Sequence, residues 1–346
     1  MPSLSYDALE AALLDRIARP GSLLADEAFH ALALDIFQFQ REHNAPYRQF
    51  CKYQKTPAEP SDWRQIPAVP TGAFRQAALR AFPATETTVT FRTSGTTGEG
   101  YGSHHFRSPR LYEASLLAAW KALELPRLPQ ILLTQRPGDA PHSSLSHMMG
   151  TLGALGEQTW CLDAGGALDL AALRQAAASG PVLVLGTALA FLHVFERLGG
   201  ERLDLAPGSL AMETGGYKGT GRTLAKAELY TQFGRTLGLG PDAILNEYSM
   251  TELSSQWYTR GLGRPHHGPE WTRALVIDPE TGREAPDGER GVLRLFDLAN
   301  LGSVLAIQTQ DLAVRRGAGF ELLGRDPTAI PRGCSRSADE LLNGGR

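Results

Sequence analysis

Cysteine is scarce in this sequence, and the few cysteines are scattered. Cys51, Cys161 and Cys334 lie far apart and form no Cys-x-x-Cys pair. A disulfide framework or a structural zinc site is therefore not expected, and the pattern is typical of a protein of the reducing cytoplasm. Nothing around Cys51 or Cys161 suggests chemistry, and we interpret both as structural residues.

Long hydrophobic runs and an excess of basic charge are also absent. No stretch approaches the roughly 20 apolar residues that a membrane-spanning helix needs. The N-terminus lacks a basic segment followed by an apolar one, so no signal peptide is expected. The formal net charge is −3, which gives no general attraction for nucleic acid. The composition indicates a globular protein with no nucleic-acid partner and no membrane span.

The spacing of apolar residues predicts helices at the beginning of the chain. Leu9, Leu13 and Ile17 recur at helical intervals, and a second helical pattern runs from Ala28 to Phe37. Prolines between residues 57 and 70 then interrupt regular structure, and a short helix is predicted at 74–79.

From about residue 87 the pattern changes to short strands alternating with helices. The runs 130–134 and 181–186 read as strands, whereas 107–123 and 169–178 read as helices. Such alternation predicts an α/β fold with a largely parallel sheet. Further strands at 274–277 and 291–296 predict a smaller β-rich part near the end of the chain.

The most distinctive segment is Thr-Ser-Gly-Thr-Thr-Gly at residues 93–98, which follows a β-branched run. Its glycines allow backbone N–H groups to converge on an anion, and the hydroxyls of Ser94, Thr96 and Thr97 add donors. No lysine follows Gly98, so the segment is not the phosphate loop of P-loop ATPases. It predicts an anion-binding loop, with a polar hairpin turn as the alternative interpretation.

Three later segments follow in a fixed order: Asn-Glu-Tyr-Ser-Met-Thr-Glu at 246–252, Gln-Thr-Gln-Asp-Leu at 308–312 and Gly-Arg-Asp at 324–326. Together with residues 93–98, they resemble the motifs of the adenylate-forming superfamily, which includes acyl-CoA ligases and firefly-type luciferases. The resemblance implies a large adenylation domain over residues 1–326, with mostly parallel sheets flanked by helices and a helical N-terminal region at 1–80.

The same resemblance implies that ATP and Mg²⁺ bind and that a carboxylic acid is activated as acyl-AMP. It assigns Thr251 and Glu252 to phosphate and Mg²⁺, Tyr248 to the adenine ring, Asp311 to the ribose hydroxyls and Arg325 to ribose or phosphate. The remaining residues that it assigns to the nucleotide are Ser94, Gly95, Thr96, Thr97, Gly98, Gly215 and Gly216. Taken singly, Glu252 also suits a helix N-terminus, Asp311 a turn and Arg325 a surface ion pair.

Several further segments resemble one subgroup, the LuxE-type acyl-protein synthetases, which activate fatty acids for bacterial reductase complexes. They are Ile66-Pro67, Ser143–Met148, Glu213–Gly219 and Arg332–Ser335. Ordinary acyl-CoA ligases continue with a further domain after the Gly-Arg segment, whereas only residues 327–346 follow here. In the LuxE-type family a cysteine near the C-terminus accepts the acyl group, and Cys334 in this tail matches it.

The resemblance implies that an acyl reductase or carrier protein takes the group from Cys334. Lys218 is expected to replace the lysine of the missing domain, with a solvated loop lysine as the alternative. His104 and His105 are expected to line the acyl or phosphate pocket, and their adjacency on a strand excludes a metal pair. His266-His267 reads as a turn.

Two other interpretations remain open. One is a compact acyl- or aryl-CoA ligase that resembles phenylacetate-CoA ligase and uses the thiol of CoA. The other is a non-catalytic subunit that only binds nucleotide, against which the intact 94–98 loop and Glu252 argue.

Overall fold

The computed structural model describes residues 4–19, 26–93, 100–215 and 224–325. Its α-helices are α1 (Tyr6–Ala18), α2 (Asp26–His43), α3 (Ala45–Tyr53), α4 (Ala73–Gln76), α5 (Arg110–Lys121), α6 (Ser144–Gly153), α7 (Leu170–Ala177), α8 (Ala188–Leu198) and α9 (Lys226–Leu237). Its strands are β1 (Val69–Pro70), β2 (Val89–Arg92), β3 (Ser103–Phe106), β4 (Gln130–Leu133), β5 (Gln158–Trp160), β6 (Leu183–Thr187), β7 (Leu210–Thr214), β8 (Ile244–Tyr248), β9 (Trp257–Arg260), β10 (Thr272–Ile277), β11 (Arg290–Asp297), β12 (Ala306–Arg316) and β13 (Gly319–Arg325).

The helical beginning of the chain is confirmed. Ser5 caps α1 by accepting a hydrogen bond from the backbone N–H of Ala8, which satisfies one of the otherwise unpaired donors of the first turn. One face of α1 carries Leu9, Leu13 and Ile17. It is buried in a core that also contains the strands β10 to β12 and neighbouring helices. The 3.6-residue spacing in the sequence therefore marks the face that packs on the core.

The central sheet has the strand order β5-β4-β6-β7-β8-β9, and its neighbouring strands run parallel except for the pair β8 and β9. Helices α7, α8 and α9 cover one face of the sheet, and α5 and α6 cover the other. Strand β6 is apolar without alternation because both of its faces are buried. The prediction of an α/β fold with a largely parallel sheet is confirmed.

The second sheet is mostly antiparallel and is formed near the end of the chain. It has the order β1-β12-β11-β10, with β13 also paired to β12. Strand β1 contains Pro70, which cannot donate a backbone hydrogen bond, and it lies at the edge of the sheet, where proline is tolerated. The N-terminal helices pack against this sheet in one continuous apolar core.

Two local predictions were wrong. The helix predicted at 74–79 is only the single turn α4. The residues after it are extended because they bond to a distant segment. The Ser303 hydroxyl donates to the carbonyl of Leu79, and the backbone N–H of Ala81 donates to the carbonyl of Gly302. His266 and His267 do not form a turn but pair as β-bridges with Phe320 and Tyr258. Non-local pairing overrode the local turn composition in this segment.

The buried thiols agree with the structural role predicted for them. Cys51 and Cys161 are free and buried, and burial raises the pKa of each thiol to about 12. Neither is therefore a thiolate at neutral pH. None of the helices in the described part of the chain combines the length and apolar character needed to cross a bilayer.

Gly291 allows β10 and β11 to approach closely, and its replacement is expected to destabilise the second sheet. A Cβ atom at this position would lie 2.4 Å from the carbonyl oxygen of Ile277. We expect Gly291→Ala to lower the free energy of unfolding by about 1–3 kcal/mol, because a backbone atom cannot move aside without disturbing the strand pair. The measurement is urea unfolding, with Gly72→Ala as the control, since a Cβ there meets nothing within 4 Å. Equal midpoints for the two variants would contradict this account.

Candidate active site

Two segments with predicted nucleotide residues leave the central sheet at its carboxyl edge. Strands β7 and β8 run parallel, with Thr214 opposite Glu247, so the segments that follow them leave the sheet side by side. Gly215 is exposed directly after β7, and residues 249–252 follow β8. Ligands of open α/β sheets bind at this edge.

The stem of the predicted phosphate loop is a closed pair of antiparallel strands, β2 and β3. The backbone N–H of Thr93 donates to the carbonyl of Gly102 at 2.9 Å, and the N–H of Gly102 donates to the Thr93 hydroxyl at 2.9 Å. A side chain at Gly102 would collide with that hydroxyl, which is why glycine stands there. The loop residues Ser94, Gly95, Thr96, Thr97 and Gly98 lie outside the described residues, and their role stays a prediction.

Strand β3 contacts the segment after β8 through a buried histidine. His104 Nδ1 lies 2.7 Å from the carbonyl oxygen of Thr251, and the Thr251 hydroxyl lies 3.1 Å from that of Ser144. Burial lowers the pKa of His104 to about 4, so the ring is neutral at physiological pH. A carbonyl can only accept, so Nδ1 carries the proton. His104 and His105 are adjacent on β3, so their side chains should point to opposite faces of the strand. The structure agrees, since His104 is buried whereas His105 is partly exposed.

The next peptide is held from the opposite direction. Asn300 donates to the carbonyl oxygen of Glu252 at 3.0 Å and to that of Val304 at 2.8 Å, and it accepts from the Ser254 hydroxyl at 3.0 Å. Asp297 accepts from the backbone N–H of Ser254 at 2.8 Å. Burial raises the pKa of Asp297 to about 6. We call His104 and Asn300 the carbonyl clamp, because they fix the consecutive carbonyls of Thr251 and Glu252.

Tyr248 and Asp311 meet across the boundary between the two sheets. The Tyr248 hydroxyl donates to Asp311 Oδ2 at 2.8 Å, and both residues are buried. In the register of β12 and β13, Asp311 stands opposite Arg325. Three residues that the sequence assigned to the nucleotide thus come from β8, β12 and β13 to one place. Their contacts with a nucleotide stay predictions.

The sequence did not predict a polar cluster beside Tyr248, in which the exposed Lys226 meets buried polar side chains. The ammonium of Lys226 lies 3.2 Å from Glu213 Oε1 and also contacts the side-chain oxygen of Asn246. His266 Nε2 lies 2.7 Å from the same Asn246 oxygen, and its ring stacks on Phe320. Burial lowers the pKa of His266 to about 3. The sequence offers no signal for this cluster, since Lys226 is simply the first residue of α9.

Glu247 faces away from that cluster, toward the α5 side of the sheet. It is buried in the register position opposite Tyr258, and its charge also raises the pKa of Tyr112. Burial raises the pKa of Glu247 to about 7, which the hydroxyls of Ser249 and Thr214 only partly offset. Glu247 belongs to the motif at 246–252, but the sequence predicts no role for it.

Other predicted residues lie outside the described ranges. These are Gly216, Lys218 and Cys334, whose proposed roles the structure does not address. Within the described ranges, no group of three or more histidine, cysteine, aspartate or glutamate side chains is arranged to hold a metal ion. Glu252 belongs to no such group, and Mg²⁺ commonly binds through one or two protein carboxylates together with phosphate oxygens.

No protein-family model matches the chain. The long-chain-fatty-acid–luciferin-component ligase of Aliivibrio fischeri is 26% identical over 108 residues. That match covers 29% of this chain and 28% of the ligase, so it spans well under half of either protein.

Solved structures resemble nearly the whole chain. The open conformation of 2-hydroxyisobutyryl-CoA ligase, in complex with 2-HIB-AMP and CoA, gives a TM-score of 0.65 at 16% identity and covers 87% of this chain and 74% of that one. ATP-bound MatB from Rhodopseudomonas palustris gives 0.50 at 18% identity over 71% of this chain and 49% of MatB. At these identities the comparison establishes the fold alone: the α/β architecture of this chain is similar to that of these ligases, as the sequence predicted.

The buried carboxyl of Glu247 is expected to make stability fall as pH rises. Its pKa is raised by folding from 4.5 to about 7, so the folded protein holds a proton that the unfolded chain releases. Stability from this group is present below pH 4.5 and is lost as the pH rises through 7, by roughly 3 kcal/mol. The free energy of unfolding is measured in urea between pH 4.5 and 8. The contribution from Glu247 should be lost with rising pH in the native protein, and Glu247→Gln should lack this contribution. The exposed Glu289→Gln is the control, and an equal pH slope in both variants would refute the assignment.

Proposed function

We propose that this chain is a cytoplasmic AMP-forming ligase that converts a carboxylic acid into acyl-AMP and then into a thioester. The observation that carries the proposal is the contact between His104 and Thr251. Through it, the strand that leaves the predicted phosphate loop touches the predicted metal-binding segment. The contact joins residues 147 positions apart in sequence, which supports a shared site in which both motifs bind one triphosphate.

In the first step, a carboxylate oxygen of the acid attacks the α-phosphorus of ATP. The new O–P bond forms as the bond from the α-phosphorus to the bridging oxygen breaks, and pyrophosphate leaves. Negative charge builds on the phosphoryl oxygens, so the site needs donors rather than a protein nucleophile. The 94–98 loop and Thr251 are proposed to supply these donors, while Tyr248, Asp311, Arg325, Gly215 and Gly216 hold the nucleoside.

Mg²⁺ fits this site because it typically uses one or two protein carboxylates and completes its shell with phosphate oxygens and water. Glu252 is proposed to be its protein ligand, and the bound ion would neutralise phosphate charge. The carbonyl clamp holds the backbone of Glu252 in place, so its carboxylate is positioned before the nucleotide arrives. Lys218 is proposed to contact the acyl phosphate.

In the second step, the Cys334 thiolate attacks the acyl carbon of the adenylate. The C–S bond forms, the bond from the acyl carbon to the AMP oxygen breaks, and AMP leaves. Cys51 and Cys161 are buried thiols with a raised pKa, which leaves Cys334 as the cysteine suited to this step. A fatty acid is proposed as the substrate, and an acyl reductase or carrier protein as the acceptor, in line with the partial similarity to the luciferin-component ligase.

Removing the carboxylate of Glu252 is expected to abolish adenylation. Glu252→Ala should lower carboxylate-dependent exchange of labelled pyrophosphate into ATP by at least about a hundredfold, because charge on the phosphates is no longer neutralised. The contact of Asn300 with the backbone of Glu252 is retained in this variant. Glu289→Gln serves as the control. Exchange that persists in Glu252→Ala would remove Glu252 from the mechanism.

Replacing Cys334 should separate the two steps. Incubation with ATP and a labelled acid is expected to leave a label that survives denaturation and is released by hydroxylamine. Cys334→Ser should lose the label but keep pyrophosphate exchange, whereas Cys161→Ala should keep both. A full label in Cys334→Ser would mean that another group accepts the acyl chain. Label that instead requires added CoA would favour the acyl-CoA ligase alternative.

A further inference from the structure

A cavity of about 660 Å³ lies between the end of α5, β9 and the segment 264–271, which folds back beside β9. Two backbone hydrogen bonds between Tyr258 and His267, at 2.9 and 3.0 Å, hold that segment against the strand. On the helix side the wall consists of small or apolar side chains: Ala118, Ala119, Ala122 and Leu123. The volume and the largely apolar wall are typical of small-molecule sites.

The cavity extends toward the edge of the central sheet that lies opposite the proposed nucleotide site. Strand β9 runs antiparallel to β8, so Trp257 stands opposite Tyr248, whereas Arg260 stands opposite Leu245 at the other end of the pair. Arg260 and Leu245 both line the cavity. A ligand in this cavity therefore does not need the carboxyl edge, where the nucleotide is proposed to bind.

Two exposed arginines that line the cavity are held by one aspartate, and we call them the arginine pair. Arg260 Nε donates to the carbonyl oxygen of Asp242 at 2.6 Å, and a terminal nitrogen of Arg264 lies 3.0 Å from the Asp242 carboxylate. Gly261 in the turn between them has a φ of +85°, which residues with a side chain rarely adopt. The turn and Asp242 thus bring two guanidinium groups together.

The charge around the arginine pair favours a monoanion. The two guanidinium groups carry two positive charges, and the carboxylate of Asp242 offsets one of them. Glu270 also lines the cavity, but Arg16 neutralises it at 2.7 Å. The anchor of Arg260 uses Nε, and its two terminal nitrogens are further donors in a planar group that suits a carboxylate.

A row of polar side chains leads inward from the arginine pair. Gln256, Tyr258 and Arg260 alternate along the chain, so they share one face of the strand, and all three line the cavity. The Gln256 side-chain oxygen and the Tyr258 hydroxyl have no hydrogen-bond partner among the described residues, although these residues are only 1% and 6% exposed. Buried polar groups are almost always paired, so a donor is missing here.

We propose that this cavity binds an organic carboxylate that carries a hydroxyl group about 7 to 13 Å from its carboxyl group, the spacing of two to four residues along a strand. The arginine pair holds the carboxylate, the alanines of α5 contact the apolar body, and the hydroxyl donates to Tyr258 or Gln256. An ammonium in place of the hydroxyl would be buried without a counter-charge. A phosphate monoester carries close to two charges, which the arginine pair and Asp242 do not balance.

The test measures Kd by calorimetry, without ATP, for 8-hydroxyoctanoate, octanoate and octane-1,8-diol. We expect 8-hydroxyoctanoate to bind the native protein most tightly. Arg260→Gln should weaken its binding by about tenfold to a hundredfold, the usual effect of a hydrogen bond to a charged group, and should leave the binding of the diol unchanged. Tyr258→Phe should reduce the preference for 8-hydroxyoctanoate over octanoate without changing the Kd of octanoate.

Two further variants serve as controls. Arg283 is exposed and does not line the cavity, so Arg283→Gln should bind all three compounds as the native protein does. Ala118→Phe should fill the cavity and abolish binding of all three, with urea unfolding as the check that this variant folds. If it does not fold, Arg260→Gln decides, because that side chain is exposed.

Three results would overturn the inference. The first is that 8-hydroxyoctanoate does not bind the native protein. The second is equal binding of 8-hydroxyoctanoate to the native protein and to Arg260→Gln, which would mean that another site, such as the proposed adenylation site, holds it. The third is tighter binding of 8-hydroxyoctyl phosphate than of the carboxylate. None of these results depends on the adenylation proposal, which pyrophosphate exchange tests separately.

Discussion

The peptide of Thr251 and Glu252 is held by two buried side chains that come from distant parts of the chain. His104 precedes it by 147 residues, and Asn300 follows it by 48. Each side chain satisfies one carbonyl, and a buried carbonyl without a partner would cost about 1–3 kcal/mol. The segment after β8 is therefore fixed by the association of β3, β8 and the end of β11, so the geometry of the site depends on the complete fold.

The clamp also explains why the histidine is buried and neutral. A charged imidazole at this depth would need a counter-charge, whereas a neutral ring donates one hydrogen bond to a carbonyl and contacts the rings of Phe74 and Phe106. Burial lowers the pKa of His104 to about 4 and so keeps the ring neutral over the physiological range, and the hydrogen bond to the Thr251 carbonyl fixes its tautomer. A constant tautomer gives a constant position of the Thr251 backbone.

Several carboxyl groups near the site are buried at a cost to stability. Folding raises the pKa of Asp297 and Glu247, which means that each charged form is less favourable in the folded protein than in the unfolded chain. Asp297 recovers part of this cost through hydrogen bonds from Ser254 and Ser255. Glu247 recovers part of it through the hydroxyls of Ser249 and Thr214. Carboxyl groups with a perturbed pKa are common at functional sites.

Local sequence determined most of the secondary structure and the identity of the motifs. Helical spacing placed the buried face of α1, and apolar runs placed β4 and β6, because these patterns reflect the burial that each element needs by itself. The order of the motifs indicated the adenylate-forming fold. It also selected Tyr248 and Asp311, whose direct hydrogen bond then joined the two sheets.

The tertiary structure alone decided which residues stand beside those motifs. Lys226 reaches Glu213 and Asn246 only because β7 and β8 end, and α9 begins, at the same edge of the sheet. His266 joins them through a bridge to Phe320, although its local sequence favours a turn. The burial of Glu247 depends on the packing of α5 over β8 and β9. None of these contacts has a local signature, because each depends on chain segments that are far apart in sequence and meet only after folding.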